Sequence, residues 1–242
     1  AEPFFSFTEG MLTLDPEAYS LRWYREVFND PKWILAIKNS FFIGILSTIL
    51  ATILGTCAAI GLARDEMPFR RFITALLLSP MIVPLIITAA GMFFFYSNLG
   101  LAGGYLGVIL AHAALGTPFV IITVTATLTG FDYSLARAAL NLGATPIRVF
   151  FDVIMPLIRP GVISGALFAF ITSFDEVVVI LFMAGPQQRT IPRQMFSGLR
   201  EQINPSILAI ATLLILVSIA LLVTLELLRR RAERMRGIEI PH

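Results

Sequence analysis

The sequence predicts an all-α integral membrane protein. Three observations carry that: a composition too apolar for a water-soluble core, long stretches without charge, and arginines gathered on alternate loops. Of 242 residues, 57% are hydrophobic and 14% charged, against about a quarter charged in an average soluble domain. A chain this short cannot bury that much apolar surface in its own core, whereas a bilayer supplies the apolar phase. The net charge of +2 is too small to point to nucleic acid. The single cysteine, Cys57, cannot form an internal disulfide and reads as a small packing residue.

A helix rises about 1.5 Å per residue, so one crossing takes about 20 residues. No charged side chain lies between Lys38 and Arg64, between Arg71 and Asp132, or between Glu201 and Glu226. The middle stretch is long enough for two crossings, joined by the turn-forming Ser97-Asn98-Leu99-Gly100-Leu101-Ala102-Gly103-Gly104. A further apolar segment is interrupted by Asp175 and Glu176. Five transmembrane helices are expected, at roughly 39–63, 72–96, 105–129, 160–184 and 205–228. Barrel strands would be shorter and alternating.

Residues 1–38 read as an extracytoplasmic segment containing Pro3, Asp15, Pro16, Trp23, Tyr24 and Trp33, without a signal peptide. Loops 64–71 and 130–159 and the tail 229–242 fall on one side, with Arg64, Arg70, Arg71, Arg137, Arg148, Arg159, Arg229, Arg230, Arg231, Arg234 and Arg236. That bias places the C-terminus in the cytoplasm and makes 39–228 the transmembrane domain. An odd number of crossings then puts Ala1 outside, and a first helix preceding Ala1 is expected.

Loop 130–159 is the most informative. Leu135, Ala138, Ala139 and Leu142 repeat at helical spacing, as do Ile147, Phe150, Phe151 and Ile154. Gly143 suits the left-handed end of the first helix, Thr145 the cap of the second and Pro146 its first position. Pro156 and Pro160 are expected to end the second helix and lead into the next crossing. Such a helix–turn–helix presents a compact knob to a partner, or lies as a connector in the headgroups.

The run Arg137-Ala138-Ala139-Leu140-Asn141-Leu142-Gly143-Ala144, followed by Ile154-Met155-Pro156 and Pro160, resembles the EAA loop of binding-protein-dependent ABC importer permeases. Gly143 and Pro156 keep that motif's spacing. Arg137 stands where the family usually has Glu. The resemblance extends from Ser20 onward and implies a type I permease fold, normally of six helices. It implies that Arg137, Ala138, Ala139, Leu142, Gly143, Ala144, Phe150, Ile154 and Pro156 couple to an ATPase. The implied partners are a second permease subunit, a cytoplasmic ATPase dimer that carries ATP-Mg, a periplasmic or extracellular solute-binding protein, and membrane lipid. No cofactor on this chain, no metal and no catalysis are expected, and the location implied is the bacterial inner membrane. The stretches Ser20-Leu21-Arg22-Trp23-Tyr24, Ser173-Phe174-Asp175-Glu176-Val177-Val178-Val179, Gly185-Pro186 and Thr190-Ile191-Pro192 resemble the spermidine/putrescine branch.

A carboxylate at mid-membrane costs roughly 2.5–3.5 kcal/mol, so Asp175 and Glu176 call for a reason. One reading lines the substrate path with at least one of them, attracting a cationic amine. The others are a salt bridge to the partner permease, or a helix that ends early and leaves them in water. Tyr96, Ser97 and Asn98 either touch solute or anchor a helix end. His112, without a second ligand nearby in sequence, reads as bonded among the helices. Pro80, Pro84 and Pro118 are expected to loosen or kink their helices, and Gly44, Gly55 and Gly61 to let helices approach closely. Neither G-x-x-x-x-G-K-[ST] nor H-E-x-x-H occurs. The alternatives left are a permease for another small solute, such as an amino acid derivative or anion, and a stand-alone secondary transporter.

Overall fold

The computed structural model describes residues 22–64, 67–201 and 206–235. Ser20-Leu21, the segment before them and the end of the basic tail from Arg236 lie outside the described residues. Among the described residues every regular element is helical.

A short helix α1, Arg22–Asn29, buries Trp23 and Val27, one turn apart, and leaves Arg25 and Glu26 exposed. Asp30 then accepts the Lys32 N–H at 2.8 Å, and Pro31 occupies the first helical position, where no N–H is needed. The long helix α2 therefore starts here and runs Pro31–Leu62, eight residues ahead of the expected 39. Helix α3, Arg70–Ile82, and helix α4, Leu85–Asn98, replace the single crossing expected at 72–96. The break falls at Val83-Pro84, whose proline removes an N–H and bars its predecessor from helical geometry. Helix α5, Tyr105–Leu128, continues through Pro118. Its Thr117, Thr123 and Thr127 hydroxyls donate to carbonyls four residues back, which satisfies them where water is absent.

After the loop region come helix α6, Tyr133–Asn141, and helix α7, Pro146–Val149. A π turn, Phe150–Ile154, leads directly into helix α8, Met155–Asp175. Helix α9, Val178–Met183, helix α10, Ile191–Glu201, and helix α11, Ser206–Met235, complete the chain. The helices long and apolar enough to cross a membrane are α2, α5 and the continuous Pro146–Asp175 helix, three among the described residues, or four if the broken α3–α4 pair is taken as one span. The first sixteen residues of α11, Ser206–Leu221, are a shorter apolar stretch.

Two compact units emerge. Among the described residues one comprises 22–46, 85–112, 174–201 and 206–224, the other 47–64, 67–84, 113–173 and 225–235. The second has a core of Ala51, Ala59, Ala113, Val120, Val124, Leu128, Ile158 and Ala169. Small residues let α2, α5 and α8 touch: a Cβ on Gly55 would stand 2.6 Å from that of Val120, and one on Gly116 2.9 Å from that of Ala169. Close backbone approach of this kind is how helices associate in lipid, where apolar burial drives nothing. A Cβ on Gly61 would meet no other element within 4 Å, and Cys57 is exposed. Neither has the packing role expected of it, because both sit off the contact face of α2. The faces carrying Phe41, Ile45, Ile49, Ile53, Phe72, Leu76, Ile86 and Phe94 are exposed and apolar, as a lipid-facing surface requires.

Candidate functional site

The loop between α5 and α8 is built almost wholly from local hydrogen bonds. Asp132 caps α6, its carboxylate accepting the Ser134 N–H at 2.8 Å. Hydrogen bonds from Ser134, side chain first and then backbone, hold its carboxyl below the usual carboxylate range. Helix α6 ends on Gly143, whose φ of 87° lies in the left-handed region. There the Ala144 N–H reaches the Ala139 carbonyl at 3.1 Å and the Gly143 N–H that of Leu140 at 2.9 Å. This pair of bonds is a Schellman turn, open without strain only to glycine. Thr145 then caps α7, accepting the Arg148 N–H at 3.4 Å, with Pro146 at the first position.

Exposure divides this foot. Leu142 is 89% exposed and Ile147 72%. Leu135, Leu140 and Phe151 are also exposed, as are Arg137 and Ala138. Val149 is buried, and Phe150 and Ile154 are half-buried, Ile154 against the core of its unit. The four apolar residues expected on one face of the second helix thus split: Ile147 and Phe151 point out, Phe150 and Ile154 in. Neighbouring positions differ by about 100° around a helix, so 150 and 151 cannot share a narrow face.

Pro156 and Pro160 do not end that helix. The π turn lengthens the bonding step, the Met155 N–H reaching the Phe150 carbonyl, and the helix continues through both prolines to Asp175. A π turn frees backbone acceptors locally, which is where a missing proline N–H does least harm. The exposed pair Arg148–Asp152, at 3.6 Å, adds little on a solvated surface.

The expected crossing 160–184 ends early, at Asp175. Asp175 is exposed, while Glu176 is only 7% exposed. The Glu176 carboxylate accepts the Val179 N–H at 2.9 Å, capping α9. Asp175 and Glu176 therefore differ in environment, and Glu176 already has a structural task. Helix α9 packs on α4, which carries Tyr96, half-buried, and the exposed Ser97 and Asn98. The Tyr96 carbonyl accepts the Leu101 N–H at 2.9 Å and so shapes the following turn.

One polar cluster escaped the sequence reading. Asn39, 4% exposed, donates to the Gln187 and Arg189 carbonyls, both at 2.8 Å. It also accepts the Tyr105 hydroxyl at 2.9 Å. The buried Ser40 hydroxyl accepts the Ile191 N–H at 2.9 Å. Arg193 donates to the Ala184 and Gly185 carbonyls at 2.9 and 3.0 Å. Together they clasp the Ala184–Thr190 loop. The only sequence signal was the Asn39-Ser40 doublet inside an apolar helix, since buried polar groups need partners.

Comparison with known proteins places this geometry. Residues 47–234 match the family described as binding-protein-dependent transport system inner membrane component. The spermidine/putrescine transport system permease protein PotC of Haemophilus influenzae is 32% identical over 226 residues, 93% of this chain and 88% of that protein. The putrescine transport system permease protein PotI of Escherichia coli K12 is 35% identical, over 87% of this chain and 78% of that protein. Among solved structures, a bacterial ABC transporter that imports the acidic polysaccharide alginate matches with a TM-score of 0.72 at 17% identity, covering 92% of this chain and 88% of that one. The MetNI methionine ABC transporter in an inward-facing conformation matches at 0.62 and 18% identity, covering 86% and 96%. The fold is that of ABC importer permeases, and the chain belongs to the binding-protein-dependent transport system inner membrane component family.

Proposed function

We propose that this permease subunit carries a polyamine or a related cationic amine, driven by an ATPase that docks on the α6–α7 foot. The observation that supports docking is the outward display of Leu142 and Ile147 beside the Gly143 turn. Large apolar side chains that are rigidly displayed outside the apolar runs gain free energy when a partner covers them. ATP-Mg sits on that partner, and this chain binds no cofactor itself. A second permease subunit completes the path, a solute-binding protein delivers the solute, and the C-terminus lies in the cytoplasm. Residues 39–228 act as the transmembrane domain, with 1–38 outside and 229–242 as a basic inner tail.

The amine assignment rests on the relatives named for spermidine and putrescine, supported by one exposed carboxylate at a helix end, Asp175. Asp175 meets the cation, Glu176 holds α9 in place, and Tyr96 stands on the helix that α9 packs against. The test is binding-protein-dependent uptake by the whole complex, with putrescine, spermidine, amino acids and anions as solutes. Amines should be taken up preferentially, and Asp175→Asn should raise the KM for them by roughly tenfold, the worth of one charge-assisted contact. Uptake of anions or amino acids in preference to amines, or an unaltered KM in a fully assembled variant, refutes the amine assignment. Transport that persists without the ATPase would show a stand-alone transporter.

A further inference from the structure

A cavity of about 670 Å³ in the second unit is used by neither the foot nor the acids. It lies among α2, α3 and α5. Arg70 and Arg71, which open α3, line it together with Leu78 and with Ile121, Ile122 and Thr125 of α5. Leu78 lies about 12 Å along the helix from Arg70. The cavity thus joins a doubly cationic mouth to an apolar slot running along the membrane helices. The Thr125 hydroxyl is buried and lacks a hydrogen-bond partner. Among the described residues neither arginine forms an ion pair. Phe69, just before this helix, and Phe72 and Leu76 on it are 81%, 68% and 61% exposed, a surface that lipid covers.

We infer that this cavity is a binding site for an anionic phospholipid. Its phosphate sits on Arg70 and Arg71 and one acyl chain lies along Leu78 and the exposed Ile122. Charge complementarity selects the headgroup: guanidinium forks match phosphate oxygens in a bidentate manner, and anionic lipid gathers at basic segments flanking a span. The apolar walls select a lipid over a free phosphate ion, which has nothing to place against them. The site is independent of the solute carried and of docking at the foot.

The test is native mass spectrometry of the detergent-purified transporter complex, titrated with phosphatidylglycerol and with phosphatidylcholine of the same acyl chains. Phosphatidylglycerol should bind more tightly. Arg70→Gln with Arg71→Gln should weaken it by roughly tenfold or more, leaving phosphatidylcholine unchanged. Ile122→Trp, which fills the slot from an exposed position and spares both charges, should also weaken phosphatidylglycerol. Equal retention of the two lipids overturns the inference. So does unchanged phosphatidylglycerol binding in both variants, displacement of the lipid by millimolar inorganic phosphate, or cross-linking of position 71 to a partner subunit in the lipid-free complex.

Discussion

The turn at Leu142–Pro146 and the loop at Ala184–Thr190 draw on the same residue types, glycine, proline and threonine, yet are held by opposite means. The first is fixed by its own neighbours: every bond that shapes it spans five residues or fewer, from Ala144 to Ala139, Gly143 to Leu140 and Arg148 to Thr145. The second has some local bonds, from the Gly185 N–H to Gln188 and from Arg193 to the Ala184 and Gly185 carbonyls. Its distinctive hold comes from Asn39 and Ser40, about 150 residues away in the chain. A locally encoded turn leaves its apolar side chains free, and Leu142 and Ile147 are free. A loop clasped from afar binds distant helices instead, and its shape depends on their being in place.

The largest effect should come from Asn39→Ala. It removes both bonds to the Gln187 and Arg189 carbonyls, of which Gln187 keeps the Tyr105 hydroxyl at 3.0 Å, and should cost about 2–3 kcal/mol. Thermal unfolding of the purified complex measures it, and an unaltered midpoint would mean that the loop needs no distant support. Gly143→Val should act at the other turn with a different signature. A Cβ there meets nothing within 4 Å, so the cost is backbone alone, about 1–2 kcal/mol for a left-handed residue. Co-purified ATPase should fall by roughly 5- to 30-fold while the unfolding midpoint holds, and Gly143→Asn should recover part of it. A loss of global stability instead would erase the contrast between the two turns.

The smallest effect concerns pH. Because the folded state depresses the Asp132 pKa, its contribution is complete above the unfolded value and disappears as pH falls through the folded one. The start of α6 should therefore fray only in acid. Amide NMR of residues 133–136 should show it, and Asp132→Ala should fray at neutral pH without further change on acidification. Acid fraying that persists in that variant would assign the effect to another group.

The foot was legible because caps and glycine turns follow from a few adjacent residues. Gly143, Thr145 and Pro146 take the conformations that their chemistry favours, and Asp132 adds a cap that had not been expected. The apolar helices were legible because lipid forces every backbone group to be satisfied within its own segment. Their limits were not. Pro156 and Pro160 looked like helix ends until the π turn carried the helix through them. For Asp175 and Glu176 an early helix end was one of three readings; the helix does stop at Asp175, which is exposed, while Glu176 is buried and accepts the Val179 N–H.

The sequence alone determined that this chain is helical, lies in a membrane and carries a helix–glycine turn–helix between two apolar runs. Those properties depend on hydropathy and on bonds between near neighbours. Tertiary structure alone decided which glycines touch another helix, which carboxylate stays exposed, and that Asn39 reaches across to Gln187. These are contacts between residues far apart in the chain, and no spacing in the sequence encodes which of them will meet.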